Sequence, residues 1–284
     1  MDRAQQLAEL VGAVSLREVS AGHQSRVFEG SNATDGGLIV VKLLDAALVD
    51  RTLVEARAEV VAELGVLDPA VCKPLPLRRQ LVTDMTFEGG DAGLVTCYEF
   101  AAGSMMAATH PADARLMGLT LARLHRAMRE ANAGDLPSVA ALQIPGTEFA
   151  GPIQLLHGDF NSGNLRQLDG VVRVFDFDDC GTGPALFDVA NALYMELFNA
   201  MTGGSMESYR RFEQAFLSGY CDVSGRVVDR RDLSALIDHR VVALEAWLDA
   251  PALAPVGIRA ATPAWHGVLR SFILSYRASN PLSA

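Results

Sequence analysis

Residues 155–179 constrain this chain more than any other part of it. They read Leu155-Leu156-His157-Gly158-Asp159, four further residues, Asn164, and then a hairpin pattern that ends in Asp176-Phe177-Asp178. The arms 164–167 and 171–177 are separated by Leu168-Asp169-Gly170, and an Asp-Gly pair is preferred chemistry for a tight hairpin turn. By chance, H-G-D-x-x-x-x-N arises in roughly one chain of this composition in a thousand, before a carboxylate on the next strand is required. The residue types suit phosphoryl transfer. Asp159 can accept a hydroxyl proton or orient a nucleophile, while Asn164 and Asp176 offer hard oxygen ligands to a Mg2+ ion bridging phosphates. A calcium loop does not fit: counted from Asp176, the fifth position is Cys180 and the twelfth is Phe187, where an acid is required. Taken singly, Asp and Asn more often cap turns. His157 is expected to brace backbone, and Asp179 to be a turn residue.

The rest of the chain bounds the setting. Its 284 residues are enough for two domains or two lobes, and with half of them apolar the fold must come from packing. No apolar run approaches the roughly 18 residues of a membrane span, and the opening residues are too polar for a signal peptide, so a cytoplasmic protein without membrane contact is expected. A formal charge of −10 disfavours nucleic acid as a partner and suits a cationic small molecule. Cys72, Cys97, Cys180 and Cys221 lie far apart without a C-x-x-C pair, which reads as free thiols rather than zinc ligands or disulfides.

Periodicity predicts a short opening helix, three antiparallel strands over 16–44, a helix over 50–64, and two more strands after Pro74 and Pro76. A strongly amphipathic helix begins at Asp113, after a boundary near Gly103. A turn-rich passage spans 133–152, and from Ala185 the pattern is helical, with breaks near Gly203, Ser224 and 251–263. If phosphates bind, the N-terminal half should help hold them. Gly22, between the first two strands in Ala21-Gly22-His23-Gln24-Ser25, permits a tight turn that could approach phosphates. Lys42, one of only two lysines, closes the apolar strand 38–42 and can reach α- and β-phosphates. Glu59 is the expected helical partner of that lysine, with Glu55 one turn earlier as the alternative.

The Asp159-to-Asn164 spacing equals that of the protein-kinase catalytic loop, with Gly158 in place of its Arg and Asp178 in place of the Gly of D-F-G. The ordered set of the Gly22 loop, Lys42, a helical Glu, His157-Gly158-Asp159-x-x-x-x-Asn164, Asp176-Phe177-Asp178 and Phe187-Asp188-Val189-Ala190 resembles the aminoglycoside phosphotransferase and choline kinase-like superfamily. These are small-molecule kinases with a protein-kinase-like fold. The resemblance runs from about residue 16 to 193 and is most specific over 157–190. It implies that Asp159 is the catalytic base and that Asn164 and Asp176 bind Mg2+. It also implies that Lys42, supported by Glu59, and the loop from Gly22 to Ser25 hold ATP phosphates. The Glu99 carbonyl and Ala101 amide would read adenine from the hinge 98–101, and Asp188 would be a buried brace of the catalytic loop.

The chain is therefore expected to be a two-lobed α+β protein. Residues 1–102 would form a five-stranded antiparallel sheet with a helix, and 103–284 a mainly helical lobe, with ATP in the cleft. The expected reaction moves the γ-phosphoryl group to a hydroxyl of a small, amine-bearing acceptor; the protein would be a monomer or homodimer. A nucleotide-binding pseudokinase would usually have lost one of Lys42, Asp159, Asn164 or Asp176. A protein kinase would carry an A-P-E segment, which is missing here. One departure from the family is length: Gly103 and Asp159 are only 56 positions apart, room for one long helix and a loop. Acceptor recognition would then fall to acids after Asp188: Glu196, Glu207, Asp222, Asp238, Glu245 and Asp249. Trp247 and Trp265 are expected in the core.

Overall fold

The computed structural model describes residues 2–21, 25–139, 152–259 and 261–279. Part of the turn-rich passage, 140–151, lies outside them, as does Gly22. The chain forms two compact units, Met1–Ala102 and Gly103–Ala284.

The first unit is a five-stranded antiparallel sheet in the order β1-β2-β3-β5-β4, made of β1 (Ala13–Ala21), β2 (Ser25–Asn32), β3 (Leu38–Asp45), β4 (Thr83–Thr86) and β5 (Ala92–Glu99). Successive side chains alternate between its faces. Ile39, Val41 and Leu43 of β3 join Val95 and Cys97 of β5 in a core closed by Leu7 and Val11 of α1 (Arg3–Val11). The opposite face carries Leu44 and Leu94, which pack with Ala58 of α2 (Arg51–Leu67) and with Val82. The register of β3 against β5 pairs Lys42 with Thr96 and Val40 with Tyr98, so Lys42 shares the α2-side face with Leu44. Asp50 starts α2 by accepting the Thr52 and Leu53 amides on its side chain.

The second unit opens with the two-residue β6 (Ser104–Met105) and α3 (Pro111–Glu130). Strand β7 (Gln154–Leu156) leads into the segment His157-Gly158-Asp159, and the hairpin β8 (Leu165–Leu168) with β9 (Val171–Val174) pairs Leu165 with Val174. Asp169 and Gly170 both have positive φ, 51° and 80°, the conformation that the Asp-Gly turn anticipates. The short β10 (Gly181–Gly183) pairs with β7. Then follow α4 (Leu186–Thr202), α5 (Met206–Ser224), α6 (Arg230–Asp249), the short α7 (Val256–Arg259) and α8 (Pro263–Ser279). Helices α3 and α5 meet backbone to backbone. A Cβ on Gly118 would lie 2.0 Å from the Phe216 carbonyl oxygen, and one on Gly219 would lie 2.1 Å from that of Arg115, so this crossing admits only glycine at both points.

Cys72, Cys97 and Cys180 are buried free thiols and Cys221 is half-buried. Burial pushes the Cys97 thiol up to about 11, so it stays protonated and inert. Neither tryptophan reaches the core: Trp247 is half-buried and Trp265 is 44 % exposed, its ring edge-on to Phe198. No helix among the described residues is long and apolar enough to cross a membrane.

Candidate active site

The segment after β7 turns sharply at Gly158, whose φ is +84°, and a Cβ there would stand 2.0 Å from the Asp179 carbonyl oxygen. Both facts exclude the arginine that a protein kinase carries at this place. Asp188, in the first turn of α4 and 0 % exposed, holds the turn from below. Its Oδ2 accepts the His157 amide and its Oδ1 the Gly158 amide, each at 2.9 Å. His125 of α3 lies with Nε2 at 3.1 Å from Asp188 Oδ2 and Nδ1 at 3.0 Å from the Tyr220 hydroxyl of α5. Burial alone would raise the Asp188 carboxyl; the His125 hydrogen bond, the electrostatic attraction of the neighbouring imidazoles and the His157 amide outweigh it and hold the carboxyl below the usual range. Burial, with the Asp188 charge nearby, pushes the Tyr220 phenol up to about 12.

His157 is fully buried and serves the backbone, as its place before the loop suggests. Nδ1 accepts the Asp159 amide at 3.3 Å, so the proton sits on Nε2, which donates to the Phe175 carbonyl at 3.1 Å. Its ring packs against Phe177, centroids 4.3 Å apart.

Asp159 is half-buried, with one amide on each oxygen. Asn164 Nδ2 donates to Oδ2 at 3.1 Å and Asn191 Nδ2 donates to Oδ1 at 3.2 Å. Asn164 Nδ2 also reaches the Asp159 carbonyl at 2.9 Å, and Asn191 Nδ2 the Phe160 carbonyl at 3.2 Å. Each of these partners can only accept, which fixes both amide orientations and turns both Oδ1 atoms away from Asp159. Asn191 Oδ1 is buried without a hydrogen-bond partner among the described residues. The Asn164 carbonyl accepts the Phe175 amide at 3.2 Å, tying the loop to the segment that carries Asp176. Asp176 is exposed and left-handed, with φ +66°, a conformation uncommon outside glycine that Asp tolerates.

No group of three or more His, Cys, Asp or Glu among the described residues could hold a metal by itself. The donors present are an amide oxygen, Asn164 Oδ1, directed away from Asp159, and an exposed carboxylate, Asp176. Such a sparse oxygen set suits Mg2+, which usually binds through one or two carboxylates and completes its shell with phosphate and water.

In the first unit, Lys42 is 8 % exposed with Nζ 5.7 Å from the centre of the Tyr98 ring, and the Thr96 hydroxyl beside it is buried without a partner among the described residues. Glu59, the expected partner of Lys42, is exposed, and the alternative Glu55 pairs with Arg51 at 2.9 Å. The reason is helical phase. Ala58, Val60, Val61 and Leu64 form the buried face of α2, and at roughly 100° per residue Glu59 lies nearly opposite its centre. Ser25, at the start of β2, lines a cavity of about 720 Å3 with Leu44, Asp45 and Phe87. At the hinge, the Glu99 amide donates to the Lys73 carbonyl at 3.1 Å, and the Ala101 amide has no partner among the described residues.

Asn191, His125 and Tyr220 escape the sequence reading. The one available signal was for Asn191, three residues after Asp188 and so on the same side of α4.

The phosphotransferase enzyme family matches residues 135–233. No curated protein sequence matches the chain. Among solved structures, amicoumacin kinase hAmiN in complex with AMP-PNP, Ca2+ and Ami is similar at a TM-score of 0.74 and 17% identity, covering 99% of this chain and 95% of its own. A microcompartment-associated aminopropanol kinase is similar at 0.71 and 16% identity, with 98% of each chain covered. A thermostable mutant of aminoglycoside phosphotransferase APH(4)-Ia is similar at 0.60 and 16% identity, covering 96% of this chain and 98% of its own. At these identities the likeness is one of fold. The family match falls on the segment that carries Asp159, Asn164 and Asp176, and the solved structures share an α+β kinase-like fold with this chain.

Proposed function

We propose that the chain transfers the γ-phosphoryl group of ATP to a hydroxyl of a small amine-bearing molecule, with Asp159 as the base. The observation that carries this reading is the pair of amides holding the Asp159 carboxylate, Asn164 on one oxygen and Asn191 on the other. Both hold it aimed, with lone pairs to spare for an incoming hydroxyl. Asp159 orients that hydroxyl and takes its proton as the phosphoryl group leaves ADP. Because the transition state is loose, most of the acceleration comes from positioning and charge neutralisation rather than from covalent chemistry on the enzyme. Asn164 and Asp176 would hold Mg2+, which neutralises phosphate charge when bound. Lys42, on the α2-side face of the sheet, would meet the phosphates, and Ser25 at the start of β2 and Gly22 would contribute to holding them. The hinge would read adenine through the Glu99 carbonyl and the Ala101 amide. Amicoumacin kinase, solved with a nucleotide analogue and a divalent ion, supports a nucleotide-and-metal reaction here.

The test is an ATP-consumption screen over amino alcohols, basic antibiotics and sugars, followed by Asp159→Asn. The variant should bind ATP yet lose transfer; a residual rate above roughly a tenth of wild type would remove Asp159 as the base.

A further inference from the structure

Among the acids after Asp188, Glu196 stands apart. Asp222, Asp238, Glu245 and Asp249 are answered within the unit by Arg115, the Tyr276 hydroxyl, Arg277 and Arg270. Glu207 sits in the first turn of α5, where a helix favours an acid. Glu196 is half-buried and receives only neutral donors: the Ser162 hydroxyl at 3.0 Å on Oε1 and the Asn199 amide at 3.3 Å on Oε2. Its charge meets no cation among the described residues, and a carboxylate has about four lone-pair sites, so capacity remains. It lines a cavity of about 260 Å3 with Ala108, Thr109, Asn199, Tyr209 and Phe212. Tyr209 is 4 % exposed, and its hydroxyl has no partner among the described residues.

Ser162 belongs to the catalytic loop three residues after Asp159, so their Cα atoms are at most about 11 Å apart. We propose that Glu196 is the residue that selects the acceptor, receiving the ammonium of a primary amine whose hydroxyl is presented to Asp159. This rests on the phosphotransferase reading above. The cavity is smaller than the roughly 300–1,000 Å3 of drug-sized sites, so it takes an amino alcohol or a single amino-sugar ring.

The test measures binding, and so is independent of whether Asp159 is the base. Ligand-observed NMR on the full chain would compare 1-amino-2-propanol with 1,2-propanediol and glucosamine with glucose. In the wild type, at least one amine should bind more tightly than its neutral counterpart. Glu196→Gln keeps an acceptor for Ser162 and removes only the charge, so that preference should fall on the order of ten- to a hundredfold. Glu196→Asp, which keeps the charge, should retain it, and melting curves establish that both variants are folded. An equal preference in Glu196→Gln, its loss in a folded Glu196→Asp, or no preference in the wild type would each overturn the assignment. Loss of turnover in Asp159→Asn beside any of those results would leave the phosphotransferase reading standing.

Discussion

Asp159 takes its direction from Asn191 as much as from Asn164, although only the second belongs to a recognisable spacing. Asn191 is 0 % exposed and leaves its own Oδ1 unsatisfied, a cost of about 1–3 kcal/mol accepted to hold the carboxylate and the Phe160 carbonyl. Asn191→Ala should therefore lower kcat about a hundredfold through misplacement of Asp159. Equal kcat in a folded variant would refute this. Asp188 predicts a pH dependence. Its folded carboxyl lies below the ordinary value of 3.8, so its contribution to stability is present above that value and lost as pH falls through the lower, folded one. Asp188→Asn should cost about 3–5 kcal/mol near neutrality, and the gap in stability between it and wild type should narrow below about pH 4. A gap constant down to pH 2 would contradict the assignment. Asp159 and Asn164 were legible because five positions of sequence carry their relation. Asn191 and His125 were not, since they meet their partners across long separations that no local spacing encodes. The exposure of Glu59 was hard to read for a smaller reason: one residue of helical phase separates a neighbour of the apolar face from its opposite side.

At the level of elements, the strongest sequence signals became the best-defined parts. The apolar stripe of α3 and the Asp-Gly hairpin both rest on short-range rules, and each is present. The α3–α5 crossing was not legible, because a glycine inside a helix reads as a weakness until its partner helix is known. Gly219→Ala should test it. Helix propensity favours alanine by about 1 kcal/mol, yet the added methyl must push two backbones apart, so a net loss of about 1–3 kcal/mol is expected in urea titration. A gain in stability would mean that the helices separate freely.

The whole molecule consists of two compact units, and both of its tryptophans, Trp247 and Trp265, belong to the second. Their fluorescence should therefore follow the unfolding of Gly103–Ala284, while far-ultraviolet circular dichroism follows both units. In guanidinium the two curves should not coincide; superimposed transitions would show one cooperative unit. The line through Tyr220, His125 and Asp188 has a consequence at this scale. It hangs the reactive bend from the same junction that clamps α3 to α5, so warming that slackens this junction disturbs chemistry while most of the unit is still intact. Turnover should fade at temperatures where spectroscopic probes still report a native protein, which makes catalysis the finer thermometer of this molecule.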